Sequence, residues 1–106
     1  MHPLVEQGCV IGEGRKQPIA IVQLANATPP NASTEQALLE LRKTVNEQLE
    51  KHEQLDSILI SANLWTPENE LITPTMKVKR KKVNAFFAKS LQIENFSPVH
   101  WLEKID

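Results

Sequence analysis

The first two apolar runs of the chain predict a pair of β-strands. Residues 8–12 form the first candidate strand, and residues 19–24 (Ile-Ala-Ile-Val-Gln-Leu) form the second. The second run is almost continuously apolar rather than alternating, which is typical of a strand that is covered on both faces. Residues 12–15 (Gly-Glu-Gly-Arg) between them favour a tight turn. We therefore expect residues 19–24 in the middle of a sheet.

A helical spacing follows a proline-containing loop at residues 28–32. Ser33 and Gln36 have the spacing of a capping box, which predicts that a helix begins there. Apolar side chains then return to one face at steps of three and four residues, as in an amphipathic helix. This stripe comprises Leu38, Leu41, Val45, Leu49 and His52. We interpret His52 as a helix-end histidine, favourable near the negative end of the helix dipole, rather than as a catalytic base.

From Ser57 the spacing changes to the period of two that a β-strand requires. The alternation sets Ile58, Ile60, Ala62 and Leu64 against Leu59, Ser61, Asn63 and Trp65. Strand, long helix and strand form a crossover connection, so we expect the helix to cover one face of a small mixed sheet. A second helix over residues 80–91 is expected to cover part of the other face, because its apolar residues again share a stripe. These residues are Val83, Phe86, Phe87 and Leu91.

Residues 92–106 form a C-terminal tail that is rich in apolar side chains. The tail contains Phe96, Pro98, Val99, Trp101 and Leu102. We favour docking of this tail on its own domain over a partner-binding role, because exposed apolar clusters are otherwise a liability. The predicted fold class is α+β, a single domain over residues 1–106. About three main strands form its mixed sheet, and two helices flank the sheet.

Composition and net charge argue against several classes of function. At 106 residues, with 41% hydrophobic and 24% charged residues, the chain is typical of one globular domain. Its net charge of −1 removes a global electrostatic argument for binding nucleic acid or an anionic membrane. No apolar run is long enough to predict a membrane span. The single cysteine, Cys9, cannot form an internal disulfide, so we expect a reducing compartment and a cytoplasmic protein.

The residues that could form a functional site lie in one short segment of the chain. His2, His52 and His100 lie far apart, no spacing resembles a metal site, and the glycines near residue 12 lack a dinucleotide-binding fingerprint. By contrast, five of the 12 Lys and Arg residues fall within residues 77–82. Such a cluster favours contact with a phosphate or carboxylate. A solvated basic surface turn explains it equally well at this point.

The segment that contains these cations resembles a known motif. Residues 71–80 (Leu-Ile-Thr-Pro-Thr-Met-Lys-Val-Lys-Arg) are similar to the last core motif of adenylate-forming enzymes, in the form found in long-chain fatty acyl-CoA synthetases. Residues 2–12 resemble the segment that enters the first strand of that family's small domain, and residues 64–70 resemble the approach to the motif. The resemblance implies a C-terminal lid domain, and therefore a fragment of a larger two-domain enzyme.

The resemblance also implies residue roles and partners. Lys77 aligns with the motif lysine, which contacts the acyl carboxylate and the nucleotide phosphate during adenylation, so Lys77 is the predicted catalytic residue. Thr75, Lys79 and Arg80 are candidate nucleotide- or phosphate-binding residues. The implied partner is a large N-terminal adenylation domain that binds ATP and a fatty acid, and the full-length enzyme would use ATP, coenzyme A and Mg²⁺. We expect none of these cofactors bound to this chain alone, and no metal site.

One departure from the wider superfamily lies next to the lysine. A glycine precedes the lysine there, whereas this chain has Met76, and a large apolar residue at this position is typical of the long-chain branch. The family's hinge and the hairpin that lines the coenzyme A tunnel have no counterpart in this sequence. We therefore expect the chain to be inert alone, and the full-length enzyme to be cytoplasmic and peripheral to the membrane.

Two other functions are compatible with the sequence. A free-standing interaction module could dock a partner protein through the basic segment or the apolar tail. A nucleic-acid binder would rest on residues 77–82 alone. That reading is the weakest, because no stacking aromatic residue is interleaved with the cations and the net charge is −1.

Overall fold

The computed structural model describes residues 5–12, 17–25, 31–92, 97–103 and 105. The elements in chain order are β1 (Val5–Ile11), β2 (Ile19–Leu24), α1 (Ala32–Glu47), β3 (Ser57–Ile60), α2 (Arg80–Phe86) and β4 (Val99–Trp101). Single 3₁₀ turns lie at Lys51–Glu53 and Ser90–Gln92. Most of the predicted turn at residues 12–15 and of the loop at 28–32 lies outside the described residues, as do His2 and Phe96.

The four strands form one mixed sheet in the order β1-β2-β3-β4. β1 runs antiparallel to β2, with Ile11 opposite Ile19. β2 and β3 are parallel, and β3 and β4 are parallel, with Ile58 opposite Val99. The predicted mixed sheet and the interior position of residues 19–24 are therefore confirmed. The fourth strand, which comes from the C-terminal tail, is an addition to the three main strands expected.

Alternate residues of β2 and β3 enter two separate hydrophobic cores, one on each face of the sheet, because side chains of a strand alternate between faces. On one face, α2 and the segment before it pack against the sheet. The core that they share with the sheet comprises Cys9, Ile11, Ile19, Ile21, Leu59, Trp65, Leu71, Ile72, Val83, Phe87 and Leu102. On the other face, α1 packs against the sheet, and the shared core comprises Ala20, Val22, Leu38, Leu55, Ile58, Ile60 and Val99. Both predicted helices therefore cover the faces expected of them.

The ends of α1 differ from the prediction. The N-cap is Asn31, whose side-chain oxygen accepts the backbone N–H of Thr34 at 3.0 Å, and Ser33 lies inside the first turn. Asparagine is at least as good a cap as serine, so the earlier residue starts the helix. The helix ends at Glu47 because the Asn46 side chain pairs with both backbone groups of Leu55, at 2.7 and 3.0 Å. His52 is consequently exposed in a 3₁₀ turn, and its predicted place in the helix is wrong.

The third strand is shorter than the alternation of residues predicted. It ends at Ile60, because the hydroxyl of Ser61 accepts the backbone N–H of Asn63 at 3.0 Å and donates to its carbonyl at 2.7 Å. This local turn competes with continued strand pairing. The Asn63 side chain then pairs with both backbone groups of Ile105, at 2.7 and 2.9 Å. The predicted strand over residues 61–65 is therefore replaced by a turn that holds the C-terminal tail.

The second helix is also shorter than predicted, since α2 ends at Phe86. Its stripe is nevertheless confirmed, with Val83 and Phe87 buried and with Phe86 and Leu91 packed against the same core. The described part of the tail docks on its own domain, as expected, through Val99, Trp101, Leu102 and Ile105. The Trp101 indole N–H donates to the Glu35 carboxylate at 3.1 Å and joins β4 to α1. Within the described residues, no helix has the length and apolar character needed to cross a membrane.

Candidate functional site

A turn organised by Asn69 leads from β3 to the predicted motif. The Asn69 side-chain oxygen accepts the backbone N–H of Thr66 at 3.1 Å and that of Leu71 at 3.2 Å. Its side-chain amide donates to the carbonyl of Leu64 at 2.8 Å, and the Thr66 hydroxyl accepts the Asn69 backbone N–H at 3.2 Å. One side chain therefore satisfies backbone groups on both sides of the turn, which fixes the direction in which the chain enters the motif.

The motif itself folds as a small hairpin, residues 71–79, which we call the lysine hairpin. Ile72 and Val78 form an antiparallel bridge, and the backbone N–H of Lys79 donates to the carbonyl of Leu71 at 2.9 Å. Leu71 and Ile72 are buried in the core that α2 covers. The base of the hairpin is thus anchored in the core, whereas residues 74–77 at its tip are exposed.

The tip is a four-residue turn, residues 73–76. The backbone N–H of Met76 donates to the carbonyl of Thr73 at 2.8 Å, and Pro74 takes the second position, where proline is favoured. Met76 has a φ of 68°, in the left-handed region that favours glycine. The glycine of the wider superfamily, noted from the sequence, occupies this same position. The methionine of this chain therefore holds a backbone conformation that disfavours a side chain.

Lys77 follows this turn, and its side chain is exposed. Its backbone N–H donates to the Thr73 hydroxyl at 3.0 Å, and its carbonyl accepts the backbone N–H of Thr73 at 2.8 Å. The ion pair found among the described residues is Lys82 with Glu70, so the Lys77 ammonium has no carboxylate partner there. The structure thus holds the backbone of Lys77 and leaves its charge open to solvent.

The other predicted site residues fall into two groups. Thr75 is exposed at the tip, where its hydroxyl lies 3.0 Å from that of Thr73. Lys79 is half-buried at the base of the hairpin. Arg80 begins α2 and lies beside Cys9. Burial raises the pKa of the Cys9 thiol, and the hydrogen bond and charge of Arg80 oppose that rise. The hairpin therefore carries Thr75, Lys77 and Lys79, whereas Arg80 faces the sheet edge.

Part of the basic cluster is neutralised within the domain. Lys82 donates to the Glu70 carboxylate at 3.1 Å. This hydrogen bond, followed by the charges of Lys82 and Lys79, lowers the pKa of Glu70 below its ordinary value. Glu70 itself has a φ of 65°. Interaction with Glu70 therefore accounts for Lys82 and in part for Lys79, but not for Lys77.

Sequence reasoning missed Asn69 and Thr73, the two residues that shape the site through hydrogen bonds. A signal for Thr73 was present, because proline favours the second position of a turn and a threonine hydroxyl can bond to the nearby backbone. Among the described residues, no group of three His, Cys, Asp or Glu side chains could hold a metal ion. The site is therefore a presented cation on a fixed backbone rather than an enclosed catalytic cluster.

Comparison with known families gives this geometry a context. The family model for the AMP-binding enzyme C-terminal domain matches residues 1–96. The chain belongs to this family. The lysine hairpin and its Lys77 therefore lie inside the part of the chain that defines an AMP-binding enzyme C-terminal domain. No curated protein matches the chain significantly.

One solved structure supports the same assignment. It is the A-PCP didomain of carboxylic acid reductase from Segniliparus rugosus in complex with AMP, and it is similar to this domain with a TM-score of 0.67 and 27% sequence identity. The match covers 85% of this chain and 14% of that chain. This AMP-binding enzyme C-terminal domain thus spans a small part of the length of its structural relative. The adenylate-forming superfamily suggested by the motif is confirmed.

Proposed function

We propose that this domain serves an enzyme that activates a carboxylic acid with ATP, and that Lys77 supplies the cation for that step. The observation that carries the proposal is the exposed Lys77 side chain, which follows a hydrogen-bonded turn in a domain of the AMP-binding family. A lysine whose backbone is fixed and whose ammonium is exposed to solvent can extend into a site that another domain builds. Lys82, by contrast, pairs with Glu70 within the domain.

The proposed chemistry explains why a cation is needed. A carboxylate oxygen attacks the α-phosphorus of ATP, the bond to pyrophosphate breaks, and an acyl-adenylate forms. Two anionic groups approach each other in this step, and negative charge builds up in the transition state. A positive charge placed at that point stabilises the transition state electrostatically, an effect worth about 10²- to 10³-fold in rate for a single well-placed donor.

The partner in this proposal is a large N-terminal adenylation domain of the same enzyme. That domain would bind ATP, Mg²⁺ and the acid, since the described residues offer no metal-binding cluster and the tip of the lysine hairpin is exposed. The C-terminal domain would bring Lys77 to the reacting groups and then rotate away for the second half-reaction. Thr75 and Lys79 lie near Lys77 in the chain and are the further candidates for phosphate contact. Arg80 is exposed too, but it begins α2 rather than lying in the hairpin, which makes it a weaker candidate.

The finer proposal is a long-chain fatty acid as substrate and coenzyme A as acceptor. The Thr-Pro-Thr-Met-Lys form of residues 73–77 supports it, through its similarity to the long-chain synthetase motif. A second candidate is a reductase, supported by the likeness to the A-PCP didomain of a carboxylic acid reductase. The two candidates share adenylation and differ in the second half-reaction. Supplying acyl-adenylate with coenzyme A or with a carrier protein as acceptor distinguishes them.

The experiment that tests the shared step is ATP–pyrophosphate exchange with a long-chain fatty acid. The exchange is measured for this chain alone, for its large domain alone, and for the two mixed or fused. We expect activity only when both domains are present. Lys77→Ala should then lower the exchange rate by about 10²- to 10³-fold, since it removes a single transition-state donor.

The matched control is Lys81→Ala, which removes an exposed cation from the same basic segment. It should leave the exchange rate unchanged. The thioester step from supplied acyl-adenylate should survive Lys77→Ala, and an equal loss of both steps would contradict the assigned role. If neither the mixture nor the fusion exchanges pyrophosphate, the domain is better explained as an interaction module, which predicts a stable complex with a second protein.

A further inference from the structure

We propose that Thr73 is a positioning residue for Lys77, and that its hydroxyl sets the rate of acyl-adenylate formation without touching the substrate. This inference rests on the function proposed above, because it assigns a role to a residue that acts through Lys77. The inference rests on the hydrogen bonds between Thr73 and Lys77. Both backbone polar groups of Lys77 are bonded to this one residue, four positions earlier in the chain.

Thr73 makes hydrogen bonds with each of its polar groups. Its backbone N–H donates to the Lys77 carbonyl at 2.8 Å, and its carbonyl accepts the Met76 N–H at 2.8 Å. Its hydroxyl accepts the Lys77 N–H at 3.0 Å and lies 3.0 Å from the hydroxyl of Thr75. The two backbone bonds close the turn, whereas the hydroxyl bond belongs to the side chain alone. The side-chain contribution can therefore be removed without deleting the turn.

The hydroxyl bond is important because it holds the Lys77 backbone N–H itself, in addition to the bond between the Lys77 carbonyl and the Thr73 N–H. The Lys77 side chain is exposed, and its ammonium forms no ion pair with the described part of the chain. A lysine stem is flexible and has many rotamers, so its reach is defined only from a fixed starting point. Well-oriented groups react far faster than loosely held ones, and a displacement of about 1 Å can lower a rate by about 10²-fold. The backbone of Lys77 is thus the part of the site that the domain itself positions.

The preceding residue makes this restraint necessary. Met76 has a φ of 68°, so the chain reaches Lys77 through a conformation that a non-glycine residue adopts with strain. Without the hydroxyl, the backbone around residues 76 and 77 can relax toward ordinary values while the Thr73 carbonyl bond frays. We infer that the Thr73 hydroxyl offsets this tendency and keeps the Lys77 N–H, and with it the start of the side chain, in one place.

Two substitutions separate the hydroxyl from the rest of the side chain. Thr73→Val keeps the shape and removes the acceptor oxygen, whereas Thr73→Ser keeps the oxygen. The matched control is Thr44→Val, which makes the same chemical change at an exposed position of α1. Thr73 is only half-buried, so Thr73→Val should leave the unfolding midpoint of the domain near that of the unmodified chain.

The first measurement is amide hydrogen exchange of Lys77 in this chain, which reports the hydroxyl bond directly. We expect faster exchange at Lys77 in Thr73→Val and unchanged exchange in Thr73→Ser and Thr44→Val. The second measurement is ATP–pyrophosphate exchange with palmitate as the probe acid, with the domain joined to its large domain. We expect kcat to fall about tenfold in Thr73→Val, with KM for ATP unchanged and with rescue by serine.

Three outcomes would overturn the proposal. Unchanged Lys77 amide exchange in Thr73→Val would show that the hydroxyl does not hold the backbone. Faster amide exchange with full kcat would show that the bond is irrelevant to catalysis. A fall in kcat that serine does not rescue, together with a lower unfolding midpoint, would indicate a merely structural role. Failure of the proposed function is recognised separately, because Lys77→Ala would then leave exchange activity unchanged.

Discussion

The centre of the sheet and the lysine hairpin are ordered by different means. β2 and β3 are held by burial, since their side chains enter a hydrophobic core on each face, and Leu59 is fully buried. The tip of the lysine hairpin is exposed, and Met76 is 53% accessible to solvent. Hydrogen bonds within residues 73–77 hold it instead. The comparison shows how one small domain combines a rigid base with a charged group that remains open to a partner.

The two kinds of order respond differently to substitution. A packed strand depends on side-chain volume, and it tolerates changes that preserve that volume. A solvent-exposed turn depends on particular hydrogen-bonding groups and backbone angles, while the volume of its side chains is of little consequence. Substitutions in the sheet should therefore act on stability, and substitutions in the hairpin should act mainly on the placement of Lys77.

The largest stability effect is expected in the sheet. Leu59→Ala should lower the free energy of unfolding by about 2–5 kcal/mol, because it removes buried methyl groups and leaves a cavity. Leu64→Ala is the same change on the approach to the hairpin, where the side chain is 69% exposed, and it should alter stability by about 0.5 kcal/mol or less. Urea unfolding with an unchanged m-value measures both. Equal losses would break the proposed contrast.

A smaller effect of opposite sign is expected at the tip of the hairpin. Met76→Gly should stabilise the domain by up to about 1 kcal/mol, because glycine adopts the left-handed conformation without the 1–2 kcal/mol penalty of a side chain, although it also increases unfolded-state entropy. Met76→Ala is the control, since it shortens the exposed side chain and keeps the φ of 68°. Thermal unfolding of the two variants gives the comparison. Greater stability in the alanine variant would contradict the backbone explanation.

The smallest effect concerns Glu70 and pH. Its bond to Lys82, together with the charges of Lys82 and Lys79, lowers its pKa in the folded state. Its contribution to stability is therefore present above the unfolded-state pKa of about 4.3 and is lost as the pH falls through the lower folded-state value. Glu70→Gln should make the urea midpoint less sensitive to pH between neutral and acidic solution, most visibly at low salt, because salt screens exposed charges.

The control for this titration is Glu68→Gln, which removes an exposed carboxylate from the same turn. Glu68 has no ion pair within the described part of the chain, so this variant should retain the pH dependence of the unmodified chain. If both variants behave alike, the interaction of Glu70 with Lys82 does not contribute to folding.

The parts of the fold that were predicted correctly are those that repeat a pattern over several residues. The continuous apolar run of β2 and the stripes of α1 and α2 each average over many positions, so single exceptions do not hide them. The errors lie at ends, where one side chain decides. Asn31 starts α1 before Ser33, and Ser61 ends β3 by bonding to Asn63. Such competition between a side chain and a regular element leaves no periodic signal.

The site divides in the same way. The motif predicts Lys77 but not the hairpin that carries it, and the structure places this residue at an exposed, hydrogen-bonded turn. The motif does not predict that Asn69 sets the entry to the hairpin or that Arg80 turns toward Cys9. Those features depend on contacts formed only after the chain folds. Likewise, β4 was not predicted, because a strand as short as Val99–Trp101 shows no alternation of apolar and polar residues.

The position of β4 also has a consequence for the order of events during folding. Its pairing with β3 sets Ile58 opposite Val99, and the Asn63 side chain is hydrogen-bonded to the backbone of Ile105. Both contacts join residues that are far apart in the sequence. Contacts of this kind form late and slow the folding reaction, whereas the β1–β2 pair is more local. We expect β3 to present an open, apolar edge as long as β4 is unpaired. During synthesis on the ribosome, this edge is the natural point for chaperone binding or for self-association.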